Sequence, residues 1–227
     1  MGDLPGPKAI VSWSSGKDSA WALHEVRTRG DFDVVAILTT VTAQYARVSM
    51  HGVREVLLDQ QADALGLPVV KVGIPSPCPN EVYEREMARA LEAARADDVQ
   101  HVVFGDLFLQ DIRDYREAQL ARLGMTGVFP IWHRDTTELA REMVAVGVVA
   151  VVTCVDPSKL DRSFAGRTFD ERFIDELPAG VDPCGENGEF HTFVTRGPMF
   201  SRLIDVRVGE VVERECFVFA DVVPAES

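Results

Sequence analysis

Positive charge is what this chain has least of. Its 23 Lys and Arg stand against 36 Asp and Glu, a formal net charge of −13 at pH 7. Polyanions are gripped mainly through clustered Lys and Arg, so nucleic acid is disfavoured as a partner, and any nucleotide site must gather its donors locally. Cysteine is sparse as well. The four residues (Cys78, Cys154, Cys184, Cys216) lie far apart without a CxxC pair, which argues against a disulfide or zinc framework and suits a reducing compartment. No apolar run approaches the roughly 18 to 20 residues that a membrane span requires, and "MGDLPGPKAI" lacks a basic segment leading into an apolar one. A cytoplasmic protein with no membrane partner is expected. A GxGxxG motif, internal repeats and low-complexity tracts are also missing.

What is present is a composition of 46% hydrophobic and 26% charged residues over 227 positions, enough for one main domain and a smaller appended one. Short β-branched runs alternate with helical patterns. Strands are predicted at 8–13, 33–38, 69–74, 101–106, 128–132 and 148–155, and helices at 18–29, 53–65, 111–123 and from Asp135 to Gly147. A further helix is marked by Tyr83, Met87, Ala90, Leu91 and Ala94 on one face. Asp135 with Glu138 resembles a capping box. Strands apolar on both faces between helices imply a parallel sheet covered on both sides. The expected fold is α/β: a doubly wound, five-stranded, Rossmann-like sheet in residues 1–126, with a smaller α+β domain in 127–227. Beyond residue 156 two short helices (158–165, 170–177) precede a Gly- and Asp-rich loop, and a hairpin is predicted to turn at Gly209-Glu210.

The first strand runs into "SSGKDS", residues 14–19. In open parallel sheets ligands bind where strands turn into helices. Ser14, Ser15 and Ser19 offer hydroxyls, Gly16 lets the backbone come close, Lys17 brings a charge, and the helix start presents free N–H groups. This suits a triphosphate or pyrophosphate. The Walker pattern does not fit, because Val11 stands five residues before Gly16 and Asp18 follows Lys17. The plainer alternative is a capped helix start.

A second polar concentration is "DPCGENGEFHTFV", residues 182–194, with Glu186, Asn187, Glu189, His191 and Thr192 around two glycines. Carboxylate plus imidazole suits proton transfer, ammonia binding or metal-bridged phosphates, whereas one His among oxygens does not make a zinc site. The alternative is a solvated loop.

"SSGKDS" resembles the PP-loop, SGGxDS, of the ATP pyrophosphatases of HUP type, with Ser15 where the family usually has glycine. Together with "GENGEFHTFV" it resembles the diphthine-ammonia ligase family, and the likeness runs from about residue 8 to 206, through 53–70, 104–117, 130–142 and 197–200. The resemblance implies an adenylating amide ligase: ATP activates a carboxylate as an acyl-adenylate, pyrophosphate leaves and ammonia attacks. Its implied parts are Ser14, Ser15, Gly16, Lys17, Asp18 and Ser19 on ATP, joined by Gly105 and Asp106, with Mg²⁺ on Asp18. Lys17, Asp18, Glu186, Glu189 and His191 take the catalytic roles, and Arg113, Arg116, Asn187 and Thr192 meet the acceptor. The segment "FGDLFLQDIRDYREAQL" departs from the Gly-Ala-Ile…Tyr-Gln-Arg pattern of family members, so an acceptor other than diphthine is expected, either a small molecule or a protein side-chain carboxylate. Free ammonium is the simpler nitrogen source, and a homodimer stays open.

Alternatives are an ATP-sensing module without chemistry and a sulfur transferase using Cys78 and Cys184. Cys154 and Cys216 read as packing residues. His51, ahead of a helix, has two readings, a substrate contact and, the safer one, a surface residue flanking the helix; His24 and His101 read as structural.

Overall fold

The structure is a computed structural model describing residues 6–49, 51–214 and 216–225. Residues 1–5, where the N-terminal segment was read for targeting, lie outside the described residues. The first half follows the alternation of its sequence: β1 (Lys8–Ser12), α1 (Lys17–Arg29), β2 (Asp33–Thr42), β3 (Arg47–Val48), α2 (Glu55–Leu65), β4 (Val69–Ile74), α3 (Asn80–Ala96), β5 (His101–Val103), α4 (Gln110–Arg122) and β6 (Thr126–Val128). These strands build a six-stranded sheet. Parallel pairings join β4 to β2, β2 to β1, β1 to β5 and β5 to β6. β2 outruns β1, and at its far end the two-residue β3 folds back antiparallel onto Val41 and Thr42.

Because side chains alternate along a strand, β1 feeds two cores at once. Ala9 and Val11 join α1 and α2 on one face, while Ile10 joins Val102, Phe104, Leu91 and Leu120 under α3 and α4 on the other. α1 ends on Gly30 at φ 70°, a left-handed cap that glycine adopts without steric cost.

After α5 (Thr136–Ala145), capped by the Asp135 carboxylate on the Glu138 N–H at 2.9 Å, the chain builds a second sheet from β7 (Val149–Val155), β8 (Thr168–Phe169), β9 (Phe190–Arg196), β10 (Val206–Arg214) and β11 (Phe217–Pro224), with α6 (Glu171–Asp175) beside β8. All its pairings are antiparallel. Its buried side chains, Phe169, Phe173, Phe190 and Phe193 among them, continue the core that lies under α1 and α2.

Several local expectations are corrected. The apolar run 148–155 was grouped with the parallel strands but is the centre of the second sheet, because continuous apolarity reports burial and not strand direction. The strand expected at 128–132 lies at 126–128, where β6 straddles residue 127, and the chain then turns. Of the helix at 158–165 only a 3-10 turn at Arg162–Phe164 forms. Gly209-Glu210 is not a hairpin turn: it sits inside β10, where the register slips by one residue between Val208 and Val211. β10 instead ends at Arg214 and pairs antiparallel with β11 from Phe217, and Cys216, expected to be a packing residue, is exposed.

Candidate functional site

The turn after β1 places Ser14, Ser15 and Gly16 ahead of Lys17, the first residue of α1. Gly16 is the N-cap and contributes no side chain, so the helix start is organised by hydroxyls around it. Ser14 Oγ accepts from the Gly16 N–H at 3.3 Å and lies 3.1 Å from Ser19 Oγ. Ser19 Oγ also donates to the Gly16 carbonyl at 3.0 Å. Ser15, where the resembling family has glycine, sits at φ 70° and is fully buried, and its Oγ has no partner among the described residues. An L-residue there is strained by contact of its Cβ with the backbone.

The segment from the far end of the chain closes on this turn. β9 brings Thr192 Oγ1 to accept from the Lys17 N–H at 3.1 Å, and the Val194 N–H donates to the Ser15 carbonyl at 3.0 Å. Gln61 of α2, fully buried, ties both pieces together: its Nε2 donates to the carbonyls of Ser15 (3.1 Å) and Val194 (2.8 Å), and its Oε1 accepts from Trp13 Nε1 at 2.9 Å. No local motif marks Gln61. The available signal was an amide in a helix face otherwise made of Leu57, Leu58, Ala62 and Leu65.

Lys17 is 2% exposed. Its ammonium pairs with Asp18 at 2.9 Å, donates to the Cys184 carbonyl, and lies 5.2 Å and 5.5 Å from the ring centres of Phe190 and Phe169. Burial opposes its charge, but Asp18, with Cys184 and Asp182 behind it, more than offsets this and holds the pKa above the ordinary lysine range. Burial raises the Asp18 carboxyl despite the pull of Lys17, and its Oδ1 has no partner among the described residues.

Glu186 accepts from the Leu107 N–H at 2.8 Å, bridging the 182–192 loop to the segment after β5. Burial pushes its carboxyl up to about 7, against the Leu107 bond and helped by nearby Asp18 and Asp106. Glu189, 3% exposed, organises the loop itself: one oxygen accepts from the Asp182 N–H (3.1 Å) and Asn187 Nδ2 (3.0 Å), while Oε2 is unpartnered. Gly105 packs on the start of α1 so closely that a Cβ would fall 2.6 Å from the Asp18 carbonyl carbon.

His191 and His51 face each other with ring centres 4.4 Å apart. The expectation of a surface His51 is therefore corrected: the antiparallel return through β3 carries it onto the turn, and its ring lies against Gly16. Burial lowers both imidazoles, His191 to about 4 with Lys17 assisting, and His51 well below its ordinary value with His191 and Lys17 assisting. Both are neutral at pH 7.

Arg113 and Arg116 extend from α4 at one side. Arg113 lies over Phe129 and Trp132 (4.6 and 4.8 Å to the ring centres) and pairs with Glu117 at 2.8 Å. Arg116 lies 4.5 Å over Phe104 and pairs with Asp106 at 3.1 Å. Stacked guanidiniums keep their planar donor edges available for carboxylates. Thus Ser14 to Ser19, Gly105, Glu186, His191 and Thr192 converge, whereas Asn187 turns to Glu189 and its carbonyl accepts from Lys159 at 2.7 Å. Cys184 contributes its carbonyl; burial drives its thiol pKa far upward, and its Sγ contacts the Thr136 carbonyl. Among the described residues no group of three or more His, Cys, Asp or Glu could hold a metal ion, and no helix is long and apolar enough to cross a membrane.

A Rossmann-like parallel sheet, with an anion-ready turn after its first strand and a strand from a second, antiparallel sheet sealing that turn, defines the class. Residues 7–127 match the family model described as diphthamide synthase N-terminal domain, and residues 135–222 match diphthamide synthase C-terminal domain; the chain belongs to the diphthamide synthase family. It is similar to the diphthine–ammonia ligase of Homo sapiens, 27% identical over 236 residues, covering 92% of this chain and 86% of the relative. The Danio rerio diphthine–ammonia ligase is 27% identical over 234 residues, covering 92% and 90%. Similarity to the Schizosaccharomyces pombe diphthine–ammonia ligase is 30% over 120 residues, 51% of this chain and 20% of the relative.

Proposed function

We propose that the protein is an ATP-dependent ligase that activates a carboxylate by adenylation, releases pyrophosphate, and joins the acyl group to ammonia, with an acceptor other than diphthine. The observation that supports this most directly is the closure of Thr192 and the Glu186 loop over the Lys17 turn. A module that only held nucleotide would have no use for titratable groups walling the phosphate side.

The residues fit a triphosphate. Thr192 takes only the Lys17 N–H, and Gly16 gives the helix start no side-chain cap of its own, so the start of α1 attracts phosphate oxygens; two oxygens beside it without a partner among the described residues, Ser15 Oγ and Asp18 Oδ1, are a hydroxyl and a carboxylate. Lys17, kept cationic, counters charge building on the leaving pyrophosphate. With Asp18 as the nearby carboxylate, Mg²⁺ would be held mainly by the phosphates and would neutralise their charge. Glu186, balanced near neutrality, is the group suited to accept the proton released as ammonium becomes the amide nitrogen. Arg113 and Arg116, backed by aromatic rings, would exchange their partners Glu117 and Asp106 for the acceptor carboxylate. Sulfur transfer is not supported, since Cys184 is buried with its thiol pKa raised and reactive thiols require the opposite.

The test is product analysis. ATP, Mg²⁺, ammonium and a panel of carboxylic acids should yield AMP and pyrophosphate with at least one acid. Release of ADP and phosphate instead would sink the reading.

A further inference from the structure

The imidazole of His51 belongs to none of the roles assigned above, yet it lies directly against the turn. A Cβ built on Gly16 would lie 3.4 Å from His51 Cε1 and 3.2 Å from the Thr192 carbonyl, so the ring occupies the space beside the one backbone position that has no side chain. His191 packs on it with ring centres 4.4 Å apart and an interplanar angle of 40°. His51 Nδ1 is enclosed without a hydrogen-bond partner among the described residues. Ser15 Oγ and Asp18 Oδ1, two more buried side-chain atoms without a partner among the described residues, belong to the turn on which the ring lies. A desolvated nitrogen of this kind is costly unless something donates to it or accepts from it.

We propose that His51 is a nucleotide-contacting residue whose imidazole meets a ribose hydroxyl of the ATP held by the turn, with His191 fixing the orientation of the ring. The assignment rests on the reading of the turn as an ATP site. The chemistry selects the hydroxyl. Phosphate oxygens are acceptors only, and around the turn they already have the ammonium of Lys17, the serine hydroxyls and the helix start. Burial and the neighbouring His191 and Lys17 keep His51 uncharged. A neutral imidazole offers one donor and one acceptor; the Thr192 backbone takes the donor, which leaves Nδ1 as an acceptor that a hydroxyl, unlike a phosphate oxygen, can donate to. In a nucleotide the ribose is the hydroxyl-bearing part joined directly to the phosphates.

The experiment measures Kd for ATP, 2′-deoxy-ATP and 3′-deoxy-ATP by calorimetry with wild type and with His51→Phe, which preserves a ring to stack on His191. In wild type one of the deoxy analogues should bind about 3- to 10-fold more weakly than ATP, and in His51→Phe that difference should shrink to within about twofold. In parallel, histidine-labelled wild type is titrated with ATP and the imidazole ¹⁵N resonances are followed. The His51 nitrogens should move, while those of His101, whose Nδ1 is also unpartnered but which opens β5 at the other end of the strands, should not. Unmoved His51 nitrogens at saturating ATP overturn the proposal without any variant having to fold. So does a wild type that shows no deoxy penalty, or a penalty that survives in His51→Phe; in each case ATP binding itself stands. If ATP fails to bind wild type, the nucleotide reading falls and takes this assignment with it.

Discussion

Thr192 caps the helix that starts at Lys17. Its hydroxyl accepts the Lys17 N–H at 3.1 Å across 175 positions of chain, so the second sheet supplies the side-chain cap that Gly16 cannot. Replacing it with valine leaves a buried N–H without a partner, which costs about 1 to 3 kcal/mol. Thr192→Val should therefore lower Tm by several degrees, and Thr192→Ser should restore most of it. Equal Tm values for Thr192→Val and wild type would show that the contact contributes nothing.

Ser15 carries strain of the opposite kind. At φ 70° with an unpartnered, buried Oγ, it is a residue that glycine should improve upon. Relief of the left-handed penalty, offset in part by the greater freedom of glycine in the unfolded chain, leaves a gain of about 1 kcal/mol for Ser15→Gly. Thermal unfolding measures it; a lower Tm would mean that the hydroxyl has a use this geometry does not reveal.

Lys17 is tested by Lys17→Ala and ATP affinity. Losing a charge-assisted contact worth roughly 1.5 to 3 kcal/mol should weaken ATP binding or turnover about 10- to 150-fold. Unchanged affinity together with unchanged turnover would remove Lys17 from the site.

Gly105→Ala probes the same turn without touching its side chains. Its Cβ would sit 2.6 to 2.8 Å from Asp18 and Ser19 backbone atoms, forcing the start of α1 to shift. ATP affinity should fall about 5- to 150-fold if the overpacking cost of about 1 to 3 kcal/mol is borne by the bound state. Wild-type affinity in a folded Gly105→Ala variant would show that the turn tolerates displacement.

The site also sets a pH signature with two signs. Glu186 is raised from 4.5 to about 7 on folding, so the stability it contributes is full below 4.5 and is lost as pH rises through 7. Glu186→Gln, which can still accept from Leu107, should thus gain in Tm relative to wild type between pH 5 and pH 8. His191 is lowered from 6.5 to about 4, so its contribution is present above 6.5 and is lost as pH falls toward 4. His191→Gln should flatten the acid limb over that window. A pH-independent difference between each variant and wild type would contradict the corresponding shift.

Periodicity and turn chemistry made much of the architecture legible. The alternation of apolar strands and helices up to residue 123, the Asp135 cap and the two polar concentrations at 14–19 and 182–192 could all be read because each is a local property. Strand direction was not local. The run 148–155 looks the same whether its neighbours are parallel or antiparallel, and Gly209-Glu210 can serve a bulge as readily as a turn, since both accept a residue outside the regular ladder.

Residue identity and spacing along one strand or loop suffice to establish that a lysine-bearing turn follows the first strand and that a Glu- and His-rich segment lies near the far end. It took the packed fold to show that Thr192 and Gln61 lock those two segments together, that Glu186 ties the second of them to the segment after β5, and that His51 rests on Gly16. Each of those contacts spans 35 to 175 positions, and long-range hydrogen bonds and ring contacts depend on how the sheets pack, which no local pattern encodes.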